Sequence, residues 1–215
     1  MIKNFNINKN SNQSGRSMIE MLGVLAIVGV LSVGGIAGYS KAMTKFKINK
    51  TIDQVSHIVT NIRTLYAQQA SYEGLSQFDT NTLNMGIVPD SLTTSNSYPY
   101  ITNVFNGNVM IDYWSGYGRA FTVVYTGLPK EACVALATND WGSPSSSGFI
   151  AISIDSGAPC GPARSTKESC NARNEDVAVV ACAGNTENPT PMNVATAASA
   201  CNCGETGCTV GWKFQ

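Results

Sequence analysis

The sequence predicts an α+β fold: a long N-terminal helix with a membrane-spanning first half, packed on an antiparallel sheet, with a Cys-rich C-terminal loop region. Three observations carry that prediction. From Met21 to Ser40 the chain has no charged residue, and about 20 apolar residues suffice to cross a bilayer as a helix. Directly after it, Ile48, Ile52, Val55, Val59, Ile62 and Tyr66 recur at spacings of four and three, one apolar stripe along a helix. Beyond residue 100, short β-branched and aromatic runs alternate with Asn-Gly and Gly-rich breaks, as strands and turns do.

The helix is expected to run unbroken from Ser17 to Gln69, about 80 Å at 1.5 Å per residue, because no Pro occurs before Pro89. Its first half is apolar all round; its second half is amphipathic and needs a cover, which the C-terminal domain can supply. A free coiled coil is the weaker explanation of the stripe, which is under four heptads long. Residues 71–97 are polar and irregular, a connecting loop. Ile101–Phe105 and Val109–Trp114, joined through Asn106-Gly107, predict a hairpin. Ala120–Tyr125 is a further strand after the Gly116-Tyr117-Gly118 break. Pro129 opens a short helix, Lys130–Ala137. Phe149–Ile154 is the next strand, followed by a long irregular segment that carries cysteines. Pro191–Ala200 is read as a helix ending at Cys201, and Thr209–Phe214 as the closing strand. Trp114, Trp141 and Trp212 are expected in the core or on the sheet.

Charge gives the topology. Lys3 and Lys9 precede the apolar run, so the positive-inside tendency keeps the N-terminus cytoplasmic and exports everything after Lys41. All seven cysteines, at 133, 160, 170, 182, 201, 203 and 208, then lie on the exported side, where disulfides persist. With 14 basic residues against 14 acidic ones, the chain offers no basic patch for nucleic acid. Its 215 residues leave one modest domain after the helix. Catalysis has little support. No G-x-S-x-G, H-E-x-x-H or phosphate-binding glycine loop occurs. His57, the only histidine, falls on the helix. Asp112, Asp155 and Asp176 are scattered without EF-hand spacing. No enzyme activity, cofactor or metal is expected; zinc at Cys201, Cys203 and Cys208 is disfavoured by irregular spacing.

One residue in the apolar helix demands explanation. Glu20 sits at the mouth of the uncharged run, where a carboxylate at mid-membrane would cost roughly 2.5–3.5 kcal/mol. A plain anchor gains nothing from it; a helix that packs among identical helices and matches a positive charge does. The stretch Gly15-Arg16-Ser17-Met18-Ile19-Glu20, followed by the apolar run, resembles the prepilin signature of type IV pilins and pseudopilins. The resemblance implies a leader over residues 1–15, cleaved between Gly15 and Arg16 by a prepilin peptidase that also N-methylates Arg16. Removing that leader takes Lys3 and Lys9 from the 14 basic residues and leaves 12 against 14 acidic. Glu20 becomes the fifth mature residue, the subunit-assembly carboxylate, and Gly29 the fourteenth. Two departures stand out: the mature chain would begin with charged Arg16 instead of an apolar residue, and Ala37 occupies a position where the family often has Pro.

Gly23, Gly29, Gly34, Gly35 and Gly38 interrupt the apolar half; Gly34 and Gly38 form a G-x-x-x-G pair that permits close helix approach. Further along, Gly127-Leu128-Pro129 to Cys133, the Ala-rich segment ending in Cys201 and a terminal strand resemble the C-terminal region of type IVb pilins. By that likeness Cys133 pairs with Cys201. Cys203 and Cys208 flank four residues and suit a local bridge; Cys160, Cys170 and Cys182 stay unassigned, since spacing alone does not determine connectivity. The divisions expected are therefore the leader 1–15, an apolar assembly half 16–40, an amphipathic half 41–70 and a head 71–215 with a disulfide-bracketed region 133–201. The resemblance implies a structural subunit, the major pilin, of a type IV pilus. Its partners would be copies of itself in a helical filament, the prepilin peptidase, the assembly platform and the inner membrane before export to the cell surface. A minor pilin or pseudopilin of a type II secretion-like system shares the same N-terminus. A single-pass anchored periplasmic binding module is the third alternative, distinguished by an uncleaved leader.

Overall fold

The computed structural model describes residues 18–76, 79–98, 100–113, 120–143, 145–155, 179–182 and 189–215. Helix α1 runs from Met18 to Leu65, stopping four residues short of the expected Gln69; the chain turns through residues 66–70 instead. Tyr66 still bonds back to the Ile62 carbonyl. By internal contacts the chain divides near residue 43, and the two parts are described separately.

The first part is the apolar half of α1. Met18, Ile19, Leu22, Leu25, Ile27, Val30, Leu31, Val33 and Ile36 are all exposed. The most apolar 18-residue window averages a hydropathy of 2.2, long and apolar enough to cross a membrane.

The second part begins at Thr44. The remainder of α1 buries Ile48, Thr51, Gln54, Val55, Ile58, Val59 and Ile62. This departs from the predicted stripe at two points. Ile52 is only half-buried, and Ile58, absent from the prediction, has no exposed surface. The buried band is wider than a three-four seam because the helix lies on a broad sheet and not on another helix.

After α1 come a one-turn helix α2 (Asn81–Asn84) and two short strands, β1 (Thr93–Thr94) and β2 (Ile101–Thr102), paired antiparallel. The expected loop over 71–97 thus carries structure of its own, tied to α1 by polar groups. Gln54 Nε2 donates to the Ser91 carbonyl at 3.0 Å, Asn61 Nδ2 to the Ile87 carbonyl at 3.0 Å, and the Tyr66 hydroxyl to the Glu73 carbonyl at 3.2 Å.

Among the described residues the main sheet has five strands: β3 (Val109–Tyr113), β4 (Phe121–Leu128), β5 (Phe149–Asp155), β6 (Val179–Cys182) and β7 (Cys208–Phe214), in the order β3-β4-β7-β5-β6. Every neighbouring pair is antiparallel. The terminal strand therefore occupies the centre, where both backbone edges are satisfied. The predicted hairpin over 101–114 is corrected: pairing between its arms is limited to a Thr102–Asn108 bridge and the Asn103 N–H to the Gly107 carbonyl, and β3 pairs with β4 instead. The turn is held by Asn103 Oδ1, which accepts from the Phe105 and Gly107 N–H groups. Asn106 takes φ 65°, a conformation Asn tolerates better than most residues. Strand β6 falls in the stretch expected to be irregular. The last helix, α4 (Val194–Ala200), starts three residues after Pro191 because Asn193 caps it, its side chain accepting from the Thr196 N–H at 2.8 Å. Helix α3 (Lys130–Ala137) has its expected bounds.

One face of the sheet joins α1 in the core through Ile111, Phe121, Val123, Tyr125, Phe149, Ile152, Ile154, Val210, Trp212 and Phe214. Phe214 stacks on Phe121 at 5.8 Å and meets Phe149 edge-on at 5.5 Å, while Trp212 meets Tyr125 and Trp141 edge-on. Trp141 donates its indole N–H to the Leu136 carbonyl at 2.9 Å. Trp114 lies outside the described residues.

Candidate assembly helix and disulfide-bracketed head

Glu20 lies in the first turn of α1, where a carboxylate is favoured by the helix dipole. It is exposed among exposed apolar neighbours Met18, Ile19, Met21 and Leu22. After it, the next ionisable side chains on the helix are Tyr39 and Lys41, well beyond a turn's reach. A Cβ built on Gly23, Gly29, Gly34, Gly35 or Gly38 meets nothing within 4 Å, so packing among the described residues does not demand these glycines. Gly34 and Gly38, four apart, share a face on which another helix can approach closely. Ser32 spends its hydroxyl on the Val28 carbonyl at 2.7 Å. Gly15 and Arg16 lie outside the described residues.

The head is closed by covalent and steric devices near the start of β7. Cys133, in α3, is bonded to Cys201 at the end of α4, and Cys203 to Cys208 at the first position of β7. The first bridge spans 68 residues and the second five. Cys133, Cys201 and Cys208 are fully buried and Cys203 partly so. Cys160 and Cys170 lie outside the described residues. Cys182 ends β6, and its side chain also lies outside them. With these four sulfurs in disulfides, no thiolate among Cys201, Cys203 and Cys208 is free to ligate zinc.

Three glycines pack backbone to backbone beside these bridges. A Cβ on Gly107 would strike the Thr126 carbonyl, one on Gly127 would lie 3.0 Å from the Gly107 Cα, and one on Gly207 would lie 2.9 Å from the Gly127 carbonyl carbon. Gly127 and Gly207 also take positive φ, 69° and 77°. The sequence marked Gly107 as part of an Asn-Gly turn and Gly127 as part of the stretch resembling type IVb pilins, but nothing in it joined these two glycines to Gly207.

Polar groups elsewhere in the head do not form a reaction centre among the described residues. His57 is exposed on α1. Asp112 is half-buried and its carboxyl is raised by desolvation, against a backbone hydrogen bond from Tyr113 that lowers it. Lys213, 4% exposed on the central strand, is lowered by desolvation. Burial raises the Tyr125 phenol. The Asp155 side chain and Asp176 lie outside the described residues.

The PilS N-terminal family model matches residues 45–213. The major structural subunit of bundle-forming pilus of Escherichia coli O111:H- is 31% identical over 146 residues, covering 66% of this chain and 73% of that protein. The protein of the same description from Escherichia coli O127:H6 (strain E2348/69 / EPEC) is 32% identical over 134 residues, covering 61% and 67%. A crystal structure of type IV b pilin from Salmonella typhi aligns at a TM-score of 0.41 and 14% identity, over 72% of this chain and 95% of that one. With a family model over residues 45–213 and relatives above 30% identity matched over two thirds of their length, this chain belongs to the PilS family.

Proposed function

We propose that this protein is the major structural subunit of a type IV pilus, with a structural and not a catalytic role. The observation that carries it is the identity, over two thirds of their length, to proteins that are themselves major structural subunits of a pilus. The apolar half of α1 supports it physically. The exposed face over Met18–Ile36 has no cover among the described residues, and apolar surface of this extent is stable only in a bilayer or against other helices. The inner membrane holds it before assembly, and copies of the same helix hold it in the extracellular filament.

In this function a prepilin peptidase cuts between Gly15 and Arg16 and N-methylates Arg16, and an assembly platform adds the mature subunit to the fibre. Glu20 pairs with the new N-terminal amine of a neighbouring subunit, so that two charges enter the apolar filament core as a pair and not singly. Gly29, Gly34 and Gly38 let the helices approach. The head, over residues 71–215, forms the outer surface.

The test is mass spectrometry of the N-terminus of protein sheared from the cell surface. Abundant chain beginning at N-methylated Arg16 is expected. Processed chain confined to membranes would make the protein a minor pilin or pseudopilin. An intact Met1 in cells with active peptidase would make it an anchored binding module.

A further inference from the structure

The two disulfides among the described residues are close enough to exchange partners. The Sγ atoms of Cys133, Cys203 and Cys208 lie within 4.8 Å of one another, although Cys133 is bonded to Cys201 and not to either of them. The fold brings them together: Cys208 stands opposite Leu128 in the β4–β7 ladder, and five residues after Leu128 the first turns of α3 deliver Cys133. The Gly107-Gly127-Gly207 contacts hold this corner tight. Among the described residues, access is one-sided. A cavity of about 420 Å³, lined among others by Phe105, Pro129, Lys130, Glu205 and both Cys203 and Cys208, opens on the smaller bridge. Cys133 and Cys201 have no exposed surface.

We propose that this corner is a thiol–disulfide exchange site, in which a small thiol entering the cavity at Cys203 rearranges the buried Cys133–Cys201 bridge through Cys208. The bonds balance without net oxidation. The incoming thiolate attacks Cys203 Sγ, forming a mixed disulfide and releasing Cys208 as thiolate. Cys208 attacks Cys133 Sγ, forming Cys133–Cys208 and releasing Cys201 as thiolate. Cys201, two residues from Cys203, attacks the mixed disulfide there, forming Cys201–Cys203 and expelling the original thiol. The thiol is a catalyst, regenerated with its proton. The exposed bridge is thus the entrance to the buried one, since exchange requires access and a thiolate.

The experiment is peptide mapping of the full-length protein in detergent, incubated with reduced glutathione at pH 8 and quenched by acid alkylation. Expected products are peptides linking Cys133 to Cys208, with glutathione on Cys203 or a Cys201–Cys203 link. The double variant Cys203→Ser/Cys208→Ser keeps the Cys133–Cys201 bridge but loses the entrance; its opening by glutathione should slow at least tenfold against the parent. Opening of Cys203–Cys208 with no Cys133–Cys208 peptide would overturn the proposal, as would equal opening of Cys133–Cys201 in parent and variant. Should the variant not fold, the map of the parent protein alone decides.

Discussion

Gly207 shows how a single position can hold a corner of the head. Its φ of 77° and the 2.9 Å that would separate its Cβ from the Gly127 carbonyl carbon exclude a side chain on two grounds: the left-handed backbone, and contact with main chain that has no rotamer to yield. Gly207→Ala is therefore expected to destabilise the head by about 1–3 kcal/mol, read as a lowered urea midpoint for the full chain in detergent, whereas Gly204→Ala, where a Cβ meets nothing within 4 Å, should move it far less. Asp112 gives a second expectation at this scale. Desolvation raises its carboxyl, so the folded protein holds the Asp112 proton more tightly than the unfolded chain does. The stabilisation from that tighter hold is fully present below the unfolded value of about 3.9 and is lost as pH rises through the folded value. Asp112→Asn should remove this slope. The stability of the variant relative to the parent should therefore rise between pH 3 and pH 7, and a constant difference across that range would refute the assignment.

Elements obey a different logic, because a helix face or a bridge acts through everything it covers. Ile58 has no exposed surface while Ile52 is half-buried, so Ile58→Ala should cost about 2–5 kcal/mol and Ile52→Ala about 1 kcal/mol; denaturation curves that ranked them the other way would restore the narrower stripe. That stripe was legible because alternating spacings of three and four need only one apolar neighbour. Ile58 escaped it because helix-on-sheet burial is wider than the seam between two helices. Helix α3 was legible to the residue, since Pro129 sets its start and the Ala-rich run its body. The 101–114 hairpin was not: Asn-Gly favours a turn, but a turn does not choose its strand partners, and β3 finds a longer ladder with β4. Strand β6 was hidden inside a polar, cysteine-bearing stretch whose composition argues for a loop. Of the candidate site, Glu20 and the glycines around it stand out in the sequence as breaks in an otherwise uniform pattern, while the Gly107-Gly127-Gly207 contacts join three distant turns that no local spacing connects. The bridges follow suit. The double variant Cys133→Ala/Cys201→Ala opens a loop of 68 residues and should lose about 4 kcal/mol in the chain-entropy account, against about 2 kcal/mol for Cys203→Ala/Cys208→Ala. Equal losses in urea titrations would show that loop length does not set their worth.

At the scale of the whole molecule, the buried core and the proposed assembly function draw on different stretches of chain. Among the described residues the buried core begins at Ile48, and Met18 to Lys41 are exposed. In the proposed function the apolar half of α1 meets lipid first and then neighbouring helices, and its composition answers to those surroundings. Glu20 is the test of that division. In a bilayer alone the carboxylate is a cost; in the proposed filament, where each identical helix presents an amine, it would become one half of a pair whose other half is destabilised when left unmatched. Glu20→Ala should therefore leave the urea midpoint of the head unchanged and the membrane pool intact, while the sheared pilus fraction falls at least tenfold. Glu20→Asp, which keeps the charge on a shorter arm, should recover part of the loss, and Glu20→Gln, which keeps the length without the charge, should not. Full piliation by Glu20→Gln would show that the side chain acts by shape or hydrogen bonding, and the charge-pairing account of assembly would have to be abandoned.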